Sequence, residues 1–389
     1  MTTATRGRAP VNIPSVTKMP RHIHERPIAR RLLLPALLAA AACGGGSSGD
    51  VVFGMAGPFQ EGFGAANRRG VELAVAEINA AGGVDGRELR IEFRDDRGDG
   101  SRAAEIAQEF VDVEEIAAVI GHVTSGAMVA AAKVYDGNLA AVATTASSAA
   151  LTGISPWVFR VISSDSANGV DLAHFAERLG KRRAAVLYEN DAYGRGLADA
   201  FRRQFSGEII GFDPIDADGT DAEVHIAWFV QRRPDLVFVA GTERSGIALL
   251  REARRQGLAA DFLGGDGWTG IVLDVAASEG ALVGAPFTAL DPRPAAQRFV
   301  AAFRAKYQVD PDGNAALAYD AVQVVVAGVR EVGTDRARLR GWLSQRTADN
   351  AIAGVTGAIA FLPTGDPVGK SFVMTRVRGG ALTPVEAAR

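Results

Sequence analysis

From residue 51 onward, short runs of consecutive apolar residues alternate with longer stretches in which apolar positions recur at helical spacing. The short runs predict strands at Val51–Gly54, Leu89–Phe93, Ala117–Gly121, Ala140–Thr144, Arg183–Tyr188, Ile209–Phe212, Leu236–Ala240 and Phe262–Gly264. The longer stretches predict helices at Gly64–Asn79, Arg102–Val113, Ala127–Asp136, Gly169–Leu179, Gly194–Phe205 and Ser245–Gln256. Apolar strands separated by helices indicate parallel sheets covered on both faces, which is an α/β fold.

The alternation breaks near residues 160–165, where a second series of strand and helix units begins with Asp165 as a predicted helix N-cap. After about residue 290 the pattern changes to successive helices, followed by a predicted hairpin around residues 363–366. A length of 389 residues leaves room for two or three domains. The late return to helices and strands is typical of two lobes that exchange segments across a hinge.

Residues 1–43 are predicted to contain a signal peptide. Within residues 20–43, four arginines precede an uncharged run from Leu32 to Cys43, which is too short to span a bilayer. The only cysteine follows Ala40-Ala41-Ala42, which resembles a bacterial lipoprotein signal with Cys43 as the lipid-modified first residue of the mature protein. Residues 44–50 are rich in Gly and Ser and suit a tether. Cleavage by the ordinary signal peptidase is the alternative.

Charge and cysteine content exclude several partners and cofactors. Residues 44–389 carry 35 Lys and Arg against 44 Asp and Glu, and such an acidic body disfavours binding to nucleic acid. One cysteine cannot form an intrachain disulfide, and the five histidines show no metal-ligand spacing outside the signal segment. Gly265-x-Gly267-x-x-Gly270 fits a dinucleotide motif, but Asp266 within it would repel a pyrophosphate, so no cofactor is predicted.

A series of short motifs runs through the chain in a specific order. They are Gly57-Pro58, Gly62-Phe63-Gly64, the run from Glu77 to Arg87, Asp95-Asp96, Val119-Ile120-Gly121-His122, Phe159-Arg160, Tyr193-Gly194-x-Gly196 and Leu263-Gly264-Gly265-Asp266-Gly267. Together they resemble the periplasmic solute-binding proteins of the leucine/isoleucine/valine type, which serve branched-chain amino acid ABC transporters.

This resemblance implies a type I periplasmic binding protein fold, with two doubly wound parallel-sheet lobes joined by a three-segment hinge. The ligand would lie in the cleft between the lobes, which close on it. We assign residues 51–164 with 291–345 to the first lobe and residues 165–290 with 346–380 to the second.

The resemblance also implies ligand contacts. Ser125, which follows a strand and opens a helix, would bind a ligand carboxylate, and Thr145 and Ser147 in the next loop would bind the same group. Asp266, at a strand end in the second lobe, would pair with the α-ammonium. The alternatives are structural: a Ser or Asp at a helix start is a common N-cap, and a hydroxyl-rich loop is often only a turn.

Aromatic and charged positions complete the predicted cleft. Tyr193 and Phe63 match aromatic wall positions of the family, although Phe63 could equally be a core residue. Glu243 and Arg244 follow a strand and so face the cleft, with a surface ion pair as the alternative. His122 fits a structural role at a strand end better than a catalytic pairing with Ser125.

These observations favour an extracytoplasmic binding lipoprotein that passes a small amino acid to ABC permease subunits. Its partners would be the amino acid, the permease and the membrane through the lipid anchor, and no enzymatic activity is expected. One alternative is a receptor that senses amino acids or amides and signals to a partner. Another is a hydrolase built around Ser125.

Overall fold

The computed structural model describes residues 49–385 of the chain. The predicted signal peptide, Cys43 and most of the predicted tether therefore lie outside the described residues. The strands are β1 (Val51–Gly57), β2 (Leu89–Asp95), β3 (Ile116–Gly121), β4 (Ala141–Ala143), β5 (Val158–Arg160), β6 (Arg183–Glu189), β7 (Glu208–Ile215), β8 (Leu236–Ala240), β9 (Asp261–Gly264), β10 (Leu282–Ala285), β11 (Ile352–Gly354), β12 (Gly357–Ile359), β13 (Val373–Arg378) and β14 (Ala381–Pro384).

The α-helices are α1 (Gly62–Ala80), α2 (Gly100–Asp112), α3 (Ser125–Tyr135), α4 (Asp165–Arg178), α5 (Gly194–Gln204), α6 (Ala222–Arg232), α7 (Glu243–Gln256), α8 (Val275–Ser278), α9 (Pro294–Tyr307), α10 (Gly313–Val332) and α11 (Arg336–Ser344). A 3-10 helix spans Asp266–Leu273 directly after β9. Each strand and helix predicted in the first part of the chain is present, with ends shifted by a few residues. Strands β5 and β10 and helix α6 were missed because their apolar runs are short or interrupted.

Two sheets form the centres of two lobes. The first sheet has the order β2-β1-β3-β4-β5 and is parallel throughout, while the second has the order β14-β13-β10-β9-β8-β6-β7 with antiparallel β13 and β14 at one edge. Both faces are covered: on β3, Ile120 packs in a core with α1 and α10, whereas Val119 packs in a core with α2 and α3. The α/β prediction, with its continuous apolar strands, is confirmed.

The chain passes between the two sheets at three places: between β5 and α4, between β10 and α9, and between β12 and β13. One boundary needs correction, because Ile352, Ile359 and Phe361 pack in the core of the first lobe rather than the second. The predicted hairpin around residues 363–366 is present only as a short turn closed by an antiparallel bridge between Phe361 and Pro367, since β12 pairs with β11 while β13 pairs with β10 and β14. The third crossing therefore occupies the residues between Phe361 and Val373.

Asp165 is not the N-cap of α4, as the sequence suggested. That position belongs to Ser164, whose Oγ accepts a hydrogen bond from the backbone N–H of Ser166 at 3.2 Å. Asp165 is the first residue of the helix and its side chain is fully buried. The carboxylate is therefore free for another role.

No helix among residues 49–385 combines the length and apolarity that crossing a membrane requires. Over the same residues, the structure brings together no group of three His, Cys, Asp or Glu side chains suited to hold a metal ion.

Candidate functional site

A cavity lies between the two lobes, at the carboxyl ends of the parallel strands. The cavity has a volume of about 70 Å³. It is lined by Phe63, Val123, Thr124, Ser125, Thr145, Asp191, Tyr193, Thr242, Asp266, Gly267 and Asn314. A wider depression near Asp261 and Ala281 lies at the opposite, amino-terminal end of the second sheet. Open α/β sheets bind ligands at the carboxyl ends of their strands, so we take the interlobe cavity as the candidate site.

Ser125 forms part of the wall from the first lobe. It is the first residue of α3, whose N-cap is Thr124, so Ser125 is not the cap that the structural alternative required. Its Oγ instead accepts a hydrogen bond from the backbone N–H of Ser148 at 3.1 Å. In this hydrogen bond Ser125 acts as the acceptor and does not use its hydroxyl proton. That proton can therefore be donated to an anionic group in the cavity.

Thr145 and Phe63 stand beside Ser125 on the same lobe. The Thr145 hydroxyl donates to the carbonyl oxygen of Val123 at 3.0 Å, which fixes the loop after β4 against the loop after β3. Phe63, in the first turn of α1, is partly buried and also contacts the first core. Phe63 therefore both lines the cavity wall and packs against the core, as the two interpretations of the sequence proposed.

Asp266 and Tyr193 form the facing wall from the second lobe. The Tyr193 hydroxyl donates to Asp266 Oδ1 at 3.1 Å and accepts from the backbone N–H of Gly267 at 3.1 Å. Burial raises the pKa of Asp266 to about 6, against which the hydrogen bond from Tyr193 acts. Burial and the nearby carboxylates raise the pKa of Tyr193 well above its usual value, so its hydroxyl stays protonated.

Asp165 places a second carboxylate near this wall. Burial, followed by the charge of Asp266, raises the pKa of Asp165 well above its usual range. Among residues 49–385, neither oxygen of Asp165 has a hydrogen-bond partner within normal distance. The charge of an ionised Asp266 therefore favours the neutral form of Asp165, and the negative charge of Asp266 makes the second-lobe side of the cavity attractive to a cation and repellent to an anion.

Ser147 does not line the cavity. Its carbonyl oxygen accepts from Arg160 Nη1 and from the backbone N–H of Asp165, both at 2.8 Å. Its hydroxyl is buried and finds no partner in the described part of the chain. The sequence predicted the right loop, but the loop turns so that Thr145 faces the cavity and Ser147 lies behind it.

Glu243 also lies outside the cavity lining. Its carboxylate lies between Gly62 of α1 and Gly270 of the second lobe, where a Cβ atom on either glycine would overlap it. Burial, together with the charges of Asp312 and Glu61, raises the pKa of Glu243. Glu243 therefore packs where the two lobes meet and is not placed to contact a ligand directly.

The lobes touch each other around the cavity. Arg244 Nη2 donates to Glu61 Oε2 across the cleft at 2.7 Å. Asn314 Nδ2, at the start of α10, donates to Thr269 Oγ1 of the second lobe at 3.1 Å. The structure thus shows the two lobes in contact across the cleft, with the cavity between them.

The geometry gives no support to a catalytic Ser125. His122 is fully buried, and its Nδ1 lies 2.7 Å from Asp96 Oδ2 while its Nε2 lies 3.0 Å from Tyr135 Oη. Both ring nitrogens are therefore occupied by partners other than Ser125. His122 has the structural role at a strand end that the sequence favoured.

Some lining residues were not predicted. Asp191 and Thr242 follow β6 and β8, and the rule that strand ends share one edge of a sheet could have indicated them. Asn314 could not have been found in this way, because it opens a helix far along the chain. It reaches the cavity because α10 packs against α1.

A cavity between two doubly wound lobes, with acids on one wall and hydroxyls on the other, is typical of a two-lobed binding protein. The sequence profile of the periplasmic binding protein family matches residues 51–381. The chain belongs to this family, and the resemblance noted from the sequence is confirmed. The residues that bind its ligand remain a prediction.

Characterised relatives show what this chain is similar to. The Leu/Ile/Val-binding protein of Escherichia coli K12 is 31% identical over 316 residues, which cover 79% of this chain and 85% of that protein. A substrate-binding protein of an ABC transporter from Desulfitobacterium hafniense, solved in complex with Leu, is 31% identical with a TM-score of 0.75, covering 86% of this chain and 100% of that one. A solute-binding protein from R. palustris, solved with benzoate, shares the fold at 22% identity with a TM-score of 0.80, covering 87% of this chain and 96% of that one.

Proposed function

We propose that this protein captures an L-amino acid with an apolar or small side chain and delivers it to an ABC permease. The observation that carries the proposal is the opposition of Asp266 and Tyr193 on one wall to Ser125 and Thr145 on the other. An α-amino acid carries an ammonium and a carboxylate on one carbon, and these walls offer a carboxylate to the first and the hydroxyl proton of Ser125 to the second, while Thr145, which donates to Val123, borders the same wall. Relatives that are about 30% identical and bind Leu or Leu/Ile/Val support the same ligand class.

Each group has a defined role in this proposal. Asp266 pairs with the ammonium, and Asp165 lies behind it, where burial and the charge of Asp266 raise its pKa and favour the neutral acid. Ser125 donates its hydroxyl proton to the carboxylate at the start of α3, where the helix dipole also favours an anion. Phe63 and Tyr193 cover the side chain. Closure of the lobes excludes water and strengthens each of these charge-assisted hydrogen bonds.

A calorimetric screen tests the proposal. L-leucine, L-isoleucine, L-valine, L-alanine, benzoate and 4-methylpentanoate, which is leucine without its amine, are titrated into the protein after removal of any copurified ligand. We expect binding of at least one amino acid and no measurable binding of 4-methylpentanoate. Equal binding of leucine and 4-methylpentanoate would exclude an amino acid site, and binding of benzoate alone would place this chain with aromatic acid binders.

The affinity for the amino acid should depend on pH. Burial raises the pKa of Asp266 to about 6, and only the ionised carboxylate pairs with the ligand ammonium. Full affinity is therefore expected above about pH 6. Below that pH the affinity should fall, and the slope should approach about tenfold per pH unit. Titrations from about pH 7.5 to 4.5 check this. The Asp266→Asn variant should show a flat profile over the same range, and a flat wild-type profile would contradict the assignment of Asp266.

We further propose that Cys43 carries a diacyl anchor. Each buried CH₂ group adds about 0.8 kcal/mol of membrane affinity, so two long chains hold a protein firmly where one does not. Full-length protein expressed in a Gram-negative host should fractionate with membranes, and Cys43→Ser should appear in the soluble extracytoplasmic fraction. If both proteins fractionate identically, the anchor is absent.

A further inference from the structure

Arg160, the last residue of β5, is buried behind the cavity and does not line it. Its side chain is 2% exposed. Nε donates to Asp366 Oδ1 at 2.7 Å, and Nη2 donates to Thr152 Oγ1 at 2.8 Å. Nη1 donates to the carbonyl oxygens of Ser147 and Ser148, both at 2.8 Å. A buried guanidinium is costly unless its N–H groups are bonded, and here each of its three nitrogens donates.

The peptide group between Ser147 and Ser148 connects this guanidinium to the cavity wall. Its carbonyl oxygen accepts from Arg160, while its N–H donates to Ser125 Oγ at 3.1 Å. A trans peptide places its C=O and N–H on opposite sides, so one rigid plane runs from the buried charge to Ser125. The cation polarises this peptide and makes its N–H a stronger donor, since hydrogen bonds in a chain reinforce each other.

Ser125 is the last member of this chain of hydrogen bonds. Its Oγ lone pair is engaged by the Ser148 N–H, and the cavity lies beside it. A hydroxyl that accepts a strengthened hydrogen bond becomes a better donor through its own proton. The carboxylate of a ligand would receive that proton.

Asp366 links the same arginine to the hinge. It lies in the third crossing, between β12 and β13, and is the one carboxylate bonded to Arg160 in the described part of the chain. Thr152 donates to the same carboxylate oxygen at 3.3 Å. The loop that carries Ser147 and Ser148 is therefore held against a segment whose conformation must change when the lobes open.

We propose that Arg160 is a positioning residue for the ligand carboxylate, acting through the peptide between Ser147 and Ser148 and the hydroxyl of Ser125. It places the positive end of the Arg160–Asp366 ion pair behind the carboxylate position without touching the ligand. The part of this proposal that concerns the ligand carboxylate rests on the proposed function. The part that concerns fixation of the loop by Arg160 does not.

The test compares carboxylate ligands with their neutral amides. In Arg160→Gln, affinity for L-leucine should fall about tenfold, the loss of one charge-assisted hydrogen bond, while affinity for L-leucinamide should change less than about threefold. Arg160→Lys keeps the charge without the planar fork and should restore part of the loss. If the acid and the amide lose affinity equally, Arg160 has only a structural role.

Arg336→Gln is the matched control. Arg336 also donates to backbone carbonyls of the first lobe, those of Ile116, Val111 and Val113, but at the amino-terminal end of β3, away from the cavity. This variant should leave the ratio of acid to amide affinity unchanged. In a Ser125→Ala background, Arg160→Gln should lose most of its effect, and an undiminished effect would contradict the route through Ser125.

Two further measurements separate this proposal from the proposed function. Benzoate and benzamide replace the leucine pair if the protein takes an aromatic acid, because the carboxylate is the shared group.

If wild type binds neither acid, the proposed function fails, and hydrogen exchange in ligand-free protein tests whether Arg160 fixes the loop. Arg160→Gln should then speed exchange of the Ser148 amide about tenfold or more, and Arg336→Gln should not. An unchanged Ser148 rate would overturn the proposal. If Arg160→Gln does not fold, Arg160→Lys is used, with an intermediate effect expected.

Discussion

Replacing Asp266 with Asn should weaken binding of L-leucine by about 30-fold to several thousandfold. The variant leaves the ligand ammonium buried without an ionised partner, and removing one member of a buried charge pair costs roughly 2–5 kcal/mol. The side chain is 8% exposed and bonded to Tyr193, so water cannot readily replace the lost charge. Isothermal titration calorimetry of the two proteins at about pH 7.5, above the pKa of Asp266, measures the effect.

Glu243→Gln is the matched control for this prediction. Glu243 is an acid of the same lobe, but its carboxylate lies between Gly62 and Gly270 and not at the cavity wall. We expect a change of less than about threefold in leucine affinity. If Asp266→Asn binds leucine within about threefold of wild type, Asp266 serves only to begin the 3-10 helix, and the ammonium site lies elsewhere.

Trp268→Ala should destabilise the second lobe by about 3–5 kcal/mol and also lower ligand affinity. The indole is fully buried in the core of that lobe, two residues after Asp266. It fills the space over Gly264 of β9 and Gly246 of α7, where a Cβ atom on either glycine would overlap the ring. Its Nε1 has no partner among the described residues, so packing accounts for its contribution. Loss of the ring releases the turn that holds Asp266.

Urea unfolding followed by circular dichroism, with calorimetry in the absence of urea, checks both effects. Trp268→Phe keeps most of the packing and should give smaller losses, which covers the case in which the alanine variant does not fold. Trp342→Ala is the control, since Trp342 is buried in the core of the first lobe. It should also reduce stability while leaving leucine affinity within about threefold. Normal affinity in a destabilised Trp268→Ala would show that the indole does not position Asp266.

Close packing of neighbouring protein atoms, Trp268 among them, explains the glycines around Asp266. By sequence alone, Gly264, Gly265 and Gly267 would be expected to let a small ligand approach the backbone closely. In the structure, a Cβ on Gly264 would meet Trp268, whereas one on Gly265 would meet Leu197 and Tyr193. A Cβ on Gly267 would lie 2.5 Å from the carbonyl oxygen of Gly241. These glycines make room for protein atoms.

The local pattern of residues predicted the α/β lobes, and the motif resemblance implied five of the residues that line the cavity, namely Phe63, Ser125, Thr145, Tyr193 and Asp266. Strands buried on both faces are continuously apolar, and parallel strands place their carboxyl ends at one edge of a sheet. Ser125 and Thr145 follow neighbouring strands of the first sheet, and Asp266 follows a strand of the second, so their convergence follows from chain order and topology. The motif resemblance added the expectation that the two edges face each other.

Only the tertiary structure decided which side chains of those loops face the cavity. Thr145 lines the cavity, whereas Ser147, two residues later, lies behind it, where its carbonyl oxygen accepts hydrogen bonds from Arg160 and from the backbone N–H of Asp165. Asn314 reaches the cavity through helix packing, and residues 346–361 join the first lobe because Ile352 and Phe361 fit its core. Helical and strand periods are local properties that a sequence displays directly. Contacts between segments hundreds of residues apart depend on shape and burial, which exist only once the chain has folded.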